Sequence, residues 1–392
     1  MSSASLGSNK KLNELLFLVN KAIVQDVLTQ DLLGIFSDFL KDNLQISKAA
    51  LVSFNQEEKV LFNFGDIEIT ESELLDTFHP ENMSWAENAG HKKSIKVPLY
   101  YGNKVLANLF LVGAPEAYAE KESLVFLQTT ASLMMTAIEN KKWYQEFKRK
   151  TELNKELELA FNVQKMLIPK NLPNNHKIQA SAYFLPQQHL SGDYYDFVQI
   201  SDDEISFCMA DVTGKGIPAA LLMSNFQANW RTLLGYFPNM MELVKELNIR
   251  VNSASMGEKF ITCFIGKYSF STRILSYVNA GHTAPVLFGG DNPLLLQVGC
   301  SGLGMLDALT GIRQGYLTIP KNSFLLCYTD GLVELENEDR KQFGVEKLIA
   351  LIRSIKHEPT ETINNIILSE LKRHKGEAKF NDDVALLSLK FI

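Results

Sequence analysis

Helical and strand-like hydrophobic patterns alternate in the first third of the chain. Apolar residues recur at helical spacing over 32–44 and again over 122–147. Short, strand-like apolar runs occupy 48–54, 59–65, 94–101 and 105–113. The last two runs flank Gly102 and Asn103, a dipeptide that favours a hairpin turn. The first segment, up to about residue 140, is therefore predicted to be an α+β domain.

The helical pattern of 122–147 continues with few helix-breaking residues and stops near Pro169. Within it, a short heptad seam with one polar member is formed by Leu153, Leu157, Ala160, Gln164 and Leu167. Such a seam is compatible with a helix packed on its own domain. It is equally compatible with a helical linker that pairs with a second copy of the chain, and so short a seam does not decide between the two.

From about residue 178 the pattern changes to clustered strands and paired helices. Strand-like runs occupy 205–210, 260–269, 274–280, 285–289, 324–330 and 384–391. Helical stretches occupy 218–234, 241–252, 345–355 and 360–374. Because the strands come in runs and the helices in pairs, stacked α+β layers are predicted rather than a doubly wound parallel sheet.

Composition and charge narrow the class of protein. The chain has 392 residues, of which 46% are hydrophobic and 21% charged, as is usual for a globular protein. A net charge of −6 argues against a general nucleic-acid binder. Its four cysteines form no C-x-x-C pair, so neither a zinc knuckle nor a redox dithiol is indicated. The absence of a signal-type N-terminus and of a run of roughly 20 apolar residues predicts a cytoplasmic protein without a membrane partner.

Four aspartates each stand where a loop meets a strand-like run: Asp193, Asp211, Asp330 and Asp382. Their local sequences are SGDYYDF, FCMADVTGKG, FLLCYTDG and FNDDVALLSL. Carboxylates at strand ends offer the oxygen ligands that Mg²⁺ and Mn²⁺ prefer. Two such ions can activate a water molecule and clamp a phosphoryl group. Each segment alone would more often be a turn or a cap, so the prediction depends on their combination.

Four further positions are secondary candidates. Asp196 and Asp383 accompany the main aspartates. Because adjacent strand residues point to opposite faces, one of Asp382 and Asp383 is expected to face a shared site and the other to cap or orient it, and Asp383 ranks second. Gly214 lies in a turn that lacks the phosphate-loop pattern G-x-x-x-x-G-K-[ST]. His282 lies in a Gly-flanked turn and is either structural or a phosphate-positioning or general-acid group. No nucleophile motif is present, which favours a metal-activated water.

Taken together, the segments resemble the metal-dependent protein serine/threonine phosphatases of the 2C type, in the bacterial branch named for sporulation stage II protein E. The matching segments, in chain order, are 160–173, 191–197, 210–223, 279–287, 302–304, 328–337, 343–344 and 381–387. The resemblance implies a sandwich of antiparallel sheets flanked by helical pairs, and a site for two Mn²⁺ or Mg²⁺ ions.

The same resemblance implies roles for individual residues. Asp211 would bridge both ions, with the Val212 carbonyl as a further ligand. Asp330 and Asp382 would bind from the far side, and Asp193 from the first side, partly through water. The chain departs from the family pattern at Ser191, where a glycine is usual, and at 320–322. The histidine that acts as general acid in other branches is missing after Asp211, which leaves the general acid open.

Residues 97–113 and 122–140 look like parts of a GAF sensor domain. The predicted organisation is a GAF-like domain over 1–140, a helical linker over 141–175 and a 2C-type phosphatase domain over 176–392. The implied substrate is a phosphoprotein such as an anti-sigma-factor antagonist. A homodimer through the linker and the GAF-like domain is also predicted.

Two rival functions stay open at this point. The first is a non-catalytic regulator that keeps the fold and binds a partner. The second is a two-metal hydrolase of small phosphoesters. A catalytically dead member would be expected to lose carboxylates, and all of them are present.

Overall fold

The computed structural model of the chain describes residues 3–53, 59–65, 85–86, 94–101, 104–114, 121–187, 190–290 and 292–392. The chain divides into two compact units, Met1–Glu152 and Leu153–Ile392. This division falls within one long helix, and the domain boundaries at residues 140 and 175 stay a prediction.

The N-terminal unit is a five-stranded antiparallel sheet with helices packed against it. Its helices are Ser3–Val24 (α1), Thr29–Asp38 (α2), which a π-helical turn at Phe39–Asn43 extends, and the first part of Lys121–Leu167 (α3). Its strands are Lys48–Ser53 (β1), Lys59–Phe64 (β2), Trp85–Ala86 (β3), Ser94–Tyr101 (β4) and Lys104–Val112 (β5). They lie in the order β2-β1-β5-β4-β3.

The predicted strands of this unit agree with the observed ones to within a residue or two. β4 and β5 pair from Tyr101 and Lys104 outward, as the hairpin prediction requires. The turn residues Gly102 and Asn103 lie outside the described residues. Helix α1 was not predicted, and its Leu15 and Val19 are fully buried in the core beside Met134 of α3.

The described residues of the C-terminal unit contain eleven strands and five helices in addition to the end of α3. The strands are Ile178–Leu185 (β6), Tyr194–Gln199 (β7), Glu204–Val212 (β8), Ile261–Ser269 (β9), Ile274–Ala280 (β10), Val286–Phe288 (β11), Leu294–Leu295 (β12), Gly299–Cys300 (β13), Gly315–Thr318 (β14), Ser323–Tyr328 (β15) and Val384–Phe391 (β16). The helices are Ile217–Leu233 (α4), Met240–Ser255 (α5), Asp330–Val333 (α6), Val345–Ile355 (α7) and Thr360–Lys375 (α8).

These strands form two sheets. One has the order β13-β10-β9-β8-β7, with β14 also paired to β10, and the other has the order β12-β11-β15-β16-β6. The pairs are antiparallel except for the short parallel pair of β10 and β13. Side chains of both sheets share one core with α4 and α5, and a second core joins β15 and β16 to α7 and α8. The result is a sandwich of two sheets between helical pairs, as the α+β prediction states.

Strand β15 shows why this unit folds into four layers. Leu325 and Cys327 point into the core between the sheets, whereas Phe324 and Leu326 point towards the helices. Because strand side chains alternate between the two faces, a strand covered on both sides must be apolar throughout. Each such large side chain contributes roughly 1.5–3 kcal/mol through its burial.

Within the described parts of the chain, no helix is both long enough and apolar enough to cross a membrane.

Candidate active site

Strand register brings Asp193 and Asp211 to the same edge of one sheet. β7 begins one residue after Asp193, and β8 ends one residue after Asp211. The two strands pair antiparallel, with Tyr194 opposite Ala210. The start of β7 therefore lies beside the end of β8. This pairing brings Asp193 and Asp211 close together.

The second sheet repeats this arrangement with Asp330 and Asp382. β15 ends two residues before Asp330, and β16 begins two residues after Asp382. Their antiparallel pairing places Tyr328 opposite Leu386. The edges of the two sheets meet, so aspartates that are up to 189 residues apart in the sequence lie at one end of the sandwich.

Thr329 connects the two sheets by hydrogen bonds. Its hydroxyl donates to the Asp193 carboxylate at 2.8 Å and accepts from the Ala385 backbone N–H at 2.9 Å. Its side chain is fully buried, so these bonds are shielded from water. Thr329 thereby fixes the orientation of Asp193 relative to the loop that carries Asp330.

Two glycines allow the loops to approach closely. A Cβ atom at Gly192 would lie 2.8 Å from the Val212 carbonyl oxygen, and one at Gly331 would lie 2.0 Å from the Asp383 carbonyl oxygen. The Val212 carbonyl, a predicted ligand, therefore faces the Asp193 loop. Any larger residue at either glycine would force these loops apart.

Burial and mutual repulsion raise the pKa values of three carboxyl groups in this cluster. Burial, and then the charges of Asp211 and Asp383, raise the pKa of Asp193 well above its usual value. Burial, and then the charges of Asp330 and Asp382, raise the pKa of Asp211 to about 7. Burial and the charge of Asp382 also raise the pKa of Asp330. The cluster thus concentrates more negative charge than its surroundings neutralise.

Lys215 is a cationic neighbour of this cluster. Its Nζ atom lies 3.0 Å from Asp382 Oδ1 and donates to the Asn381 carbonyl at 2.6 Å. The side chains of Lys215 and Asp382 are 39% and 44% exposed, so solvent screens their attraction. One exposed ammonium group offsets only part of the charge of the aspartates.

The donor set fits a hard divalent cation. The four aspartates and the Val212 carbonyl provide oxygen donors, and a doubly charged ion would relieve the repulsion that raises the pKa values. In the described part of the chain, no three His, Cys, Asp or Glu side chains already converge as a metal-holding group. The fit therefore depends on donor chemistry and on placement at one end of the sandwich, not on a closed ligand shell.

The structure separates the two secondary aspartates. Asp383 lies in the cluster, where it accepts hydrogen bonds from the Ser191 hydroxyl and the Gln187 backbone N–H, both at 2.6 Å. Asp196 is not brought to the cluster. It is fully buried and binds Arg231 of α4 through two hydrogen bonds of 2.8 and 2.9 Å.

His282 and Gly214 have positions that favour structural roles. His282 is buried, and its Nδ1 atom lies 2.9 Å from the hydroxyl of Thr262, the cross-strand partner of Asp211. Burial lowers the pKa of His282 to about 4. Gly214 lies in the turn after β8 with a φ of 87°, a conformation that favours glycine.

Three residues of the site region were not predicted as functional: Thr329, Lys215 and Gln164. Lys215 lies in the turn that the sequence singled out only to reject a phosphate loop. Gln164 was the polar member of an otherwise apolar seam. Its side chain binds the backbone of Ser191, the position where the chain departs from the family pattern.

Residues 201–392 match the family model of stage II sporulation protein E. Two curated relatives from Bacillus subtilis are similar to the chain. Phosphoserine phosphatase RsbU is 29% identical over 249 residues, covering 61% of this chain and 71% of RsbU. Phosphoserine phosphatase RsbP is 26% identical over 245 residues, covering 61% of this chain and 58% of RsbP.

A solved structure, the PP2C domain of SiaA from Pseudomonas aeruginosa, is also similar. It superposes with a TM-score of 0.57 at 17% identity, covering 62% of this chain and 99% of that domain. A likeness at this identity establishes the fold. It confirms the predicted sandwich of the C-terminal unit, and it does not test the GAF-like prediction for the N-terminal unit.

Proposed function

We propose that the protein, whose residues 201–392 match the family model of stage II sporulation protein E, is a regulated protein serine/threonine phosphatase. The observation that carries the proposal is the placement of Asp193, Asp211, Asp330 and Asp382 at one end of a PP2C-like sandwich, close enough for their charges to interact. Two relatives that are named phosphoserine phosphatases support the same activity.

In this proposal two Mn²⁺ or Mg²⁺ ions are held by the aspartates. Asp211 lies in electrostatic contact with aspartates of both sheets, which suits a bridging ligand. Asp330, Asp382, Asp193 and the Val212 carbonyl would be the further ligands of the ions. When bound, the ions would supply a hydroxide-like nucleophile and stabilise the phosphoryl charge.

The chain's own residues orient this site and moderate its charge. Thr329 fixes the Asp193 carboxylate by a buried hydrogen bond, so this ligand does not have to be ordered when the site is occupied. Lys215 lies 3.0 Å from Asp382, and both side chains are partly exposed, so its ammonium group is accessible to an anionic phosphoryl group. Its ammonium group would attract that group and partly balance the charge of the carboxylates.

The proposed substrate is a phosphoprotein such as an anti-sigma-factor antagonist, and the expected compartment is the cytoplasm. The N-terminal unit is proposed to be a GAF-like sensor domain that dimerises together with α3. Exposed aromatic side chains on α3 support this part of the proposal: Trp143, Tyr144 and Phe147 are each about 70% exposed.

The test is hydrolysis of a phosphoserine peptide by the metal-free chain after addition of Mn²⁺. Asp211→Asn and Asp330→Asn should each lower kcat at least about a hundredfold, because each removes a charged ligand of the ions. Asp339→Asn, an identical change at an exposed loop position, should leave turnover unchanged. Undiminished turnover in both site variants would refute the metal mechanism.

The same assay separates the rival functions. Cleavage of a small phosphoester such as p-nitrophenyl phosphate, without cleavage of the phosphopeptide, would favour a small-molecule hydrolase. Binding of Mn²⁺ without hydrolysis of either substrate would favour a non-catalytic regulator.

A further inference from the structure

Gln164 is a buried polar side chain in an apolar seam. It is 4% exposed, although the seam positions around it on α3 carry leucine and alanine. An apolar groove of about 410 Å³ lies between this part of α3 and α4, and its lining includes Leu157, Leu167 and Leu221 as well as Gln164. A buried amide in such surroundings is retained only where its hydrogen-bonding groups find partners.

The Gln164 amide finds both partners on one residue. Its Nε2 atom donates to the Ser191 carbonyl at 2.7 Å, and its Oε1 atom accepts from the Ser191 backbone N–H at 3.2 Å. The side chain thus binds the Ser191 backbone through its N–H and its C=O, as a neighbouring strand would. This fixes the position and the orientation of that backbone relative to α3.

The Ser191 hydroxyl carries this constraint to the aspartates. It donates to Asp383 Oδ2 at 2.6 Å and accepts from the Asp193 backbone N–H at 3.0 Å. Asp383 in turn donates its backbone N–H to Asp382 Oδ1 at 2.9 Å. Hydrogen bonds joined through Ser191 and Asp383 therefore connect α3 to two of the proposed ligands, Asp193 and Asp382.

We propose that Gln164 is a positioning residue that orients Asp193 and Asp382 through the Ser191 hydroxyl. This inference rests on the proposed function, because the positioned groups are its metal ligands. It assigns to α3 a direct influence on the site that is separate from the packing of its leucines. A glycine at position 191 would lack the hydroxyl, so the connection depends on the serine that this chain carries there.

The primary measurement is the dissociation constant for Mn²⁺, obtained by calorimetric titration of the metal-free full chain. Gln164→Met keeps the length and helix preference of the side chain but removes both hydrogen bonds. It should weaken Mn²⁺ binding roughly ten- to a hundredfold, the effect usual for partners that orient metal ligands. Ser191→Gly keeps the backbone groups that Gln164 binds but removes the hydroxyl, and it should weaken binding to a similar degree.

A double-mutant cycle separates positioning from a general loss of stability. If Gln164 acts through the Ser191 hydroxyl, Gln164→Met should have little further effect on Mn²⁺ affinity in the Ser191→Gly background. Fully additive effects would overturn the proposal. Leu157→Ala is the matched control, because it removes packing from the same groove and leaves the hydrogen bonds intact. It should lower the unfolding temperature without changing Mn²⁺ affinity.

The outcomes also distinguish this inference from the proposed function. A wild-type chain that binds no Mn²⁺ would refute the proposed function itself. A wild-type chain that binds Mn²⁺ with the same affinity as Gln164→Met would refute only the role of Gln164. If Gln164→Met does not fold, the Ser191→Gly variant tests the inference by itself. An unchanged Mn²⁺ affinity in that variant would exclude positioning of the ligands through the Ser191 hydroxyl.

Discussion

At the scale of single residues, buried polar groups in the C-terminal unit are satisfied in different ways. Asp196 has an arginine partner, whereas Asp193 has a threonine hydroxyl and other carboxylates around it. The first arrangement neutralises a buried charge. The second leaves charge unbalanced, which is typical of sites that bind a ligand of opposite sign. Asp193 and Asp196 are only three residues apart, yet one belongs to the candidate site and the other to the structural framework.

The buried His282 makes the folding stability depend on pH. Its pKa is lowered by burial from about 6.5 to about 4, so the folded state disfavours its protonated form. This contribution to stability is fully present above pH 6.5 and is lost as the pH falls towards 4. Across that interval, the free energy of unfolding of the wild type should fall, relative to that of His282→Gln, by up to about 3 kcal/mol.

Urea denaturation of both proteins at several pH values measures this difference. Because both proteins contain the same aspartates, the effect of aspartate titration on stability cancels in the comparison. His357→Gln is the control, because His357 is exposed. An unchanged pH slope in His282→Gln would show that the buried ring does not titrate as its surroundings require.

At the scale of elements, the position of α4 matters because this helix follows Asp211 after a short turn. Pro218 occupies its first turn, where the missing N–H costs nothing. Arg231 in its last turn binds Asp196 of β7, so the far end of the helix is anchored to the sheet that carries Asp193 and Asp211. Both ends of α4 are thus fixed relative to the site.

Removing the arginine of this pair should be costly. Arg231→Met leaves the fully buried Asp196 without its cation and should destabilise the C-terminal unit by about 3 kcal/mol, since an uncompensated charge stays buried. Arg250→Met removes an arginine from the exposed pair with Glu246 on α5 and should change stability by less than about 1 kcal/mol. The denaturation midpoint of the C-terminal unit measures both. Equal shifts in the two variants would contradict the role assigned to the Arg231 pair.

The sequence predicted those elements whose pattern is complete within a short window. β15 and β16 have apolar runs on both faces, and α7 has clear helical spacing, so their bounds were predicted closely. The sequence does not indicate β6, because this strand is only partly buried. It indicates a strand-like run after Asp193 but no bounds for β7, whose polar and aromatic residues follow no simple alternation. At the short helix α6 the sequence indicates a turn, since Asp-Gly is a common turn dipeptide.

The sequence predicted the main aspartates of the candidate site but not the residues that pair with the acidic side chains. Asp211 and Asp330 each come at the end of a mostly apolar run, which is a local signal that the sequence shows directly. The pairing of Asp196 with Arg231 joins residues 35 positions apart, and that of Ser191 with Asp383 joins residues 192 positions apart. Such pairs depend on sheet register and helix packing, which no local pattern encodes.

At the scale of the whole molecule, α3 contributes to both units. It is 47 residues long, or roughly 70 Å at 1.5 Å per residue. Met134 belongs to the core of the N-terminal unit, and Gln164 binds Ser191 in the C-terminal unit. Between these positions, residues 143–147 carry three large aromatic side chains that are each about 70% exposed. Exposed aromatic residues at helical spacing are typical of a helix that packs on a partner.

The predicted homodimer can be tested on this segment. Trp143 and Phe147 are 71% and 69% exposed and lie one helical turn apart. In sedimentation equilibrium, the full chain should be a dimer, and the double change Trp143→Glu with Phe147→Glu should shift it to monomer, because charges would replace the apolar contact. Tyr236→Glu is the control, since Tyr236 is 76% exposed and lies elsewhere, in the C-terminal unit. A wild-type chain that stays monomeric at the highest concentration reached would reject the dimer, and regulation would then have to act within a single chain through α3.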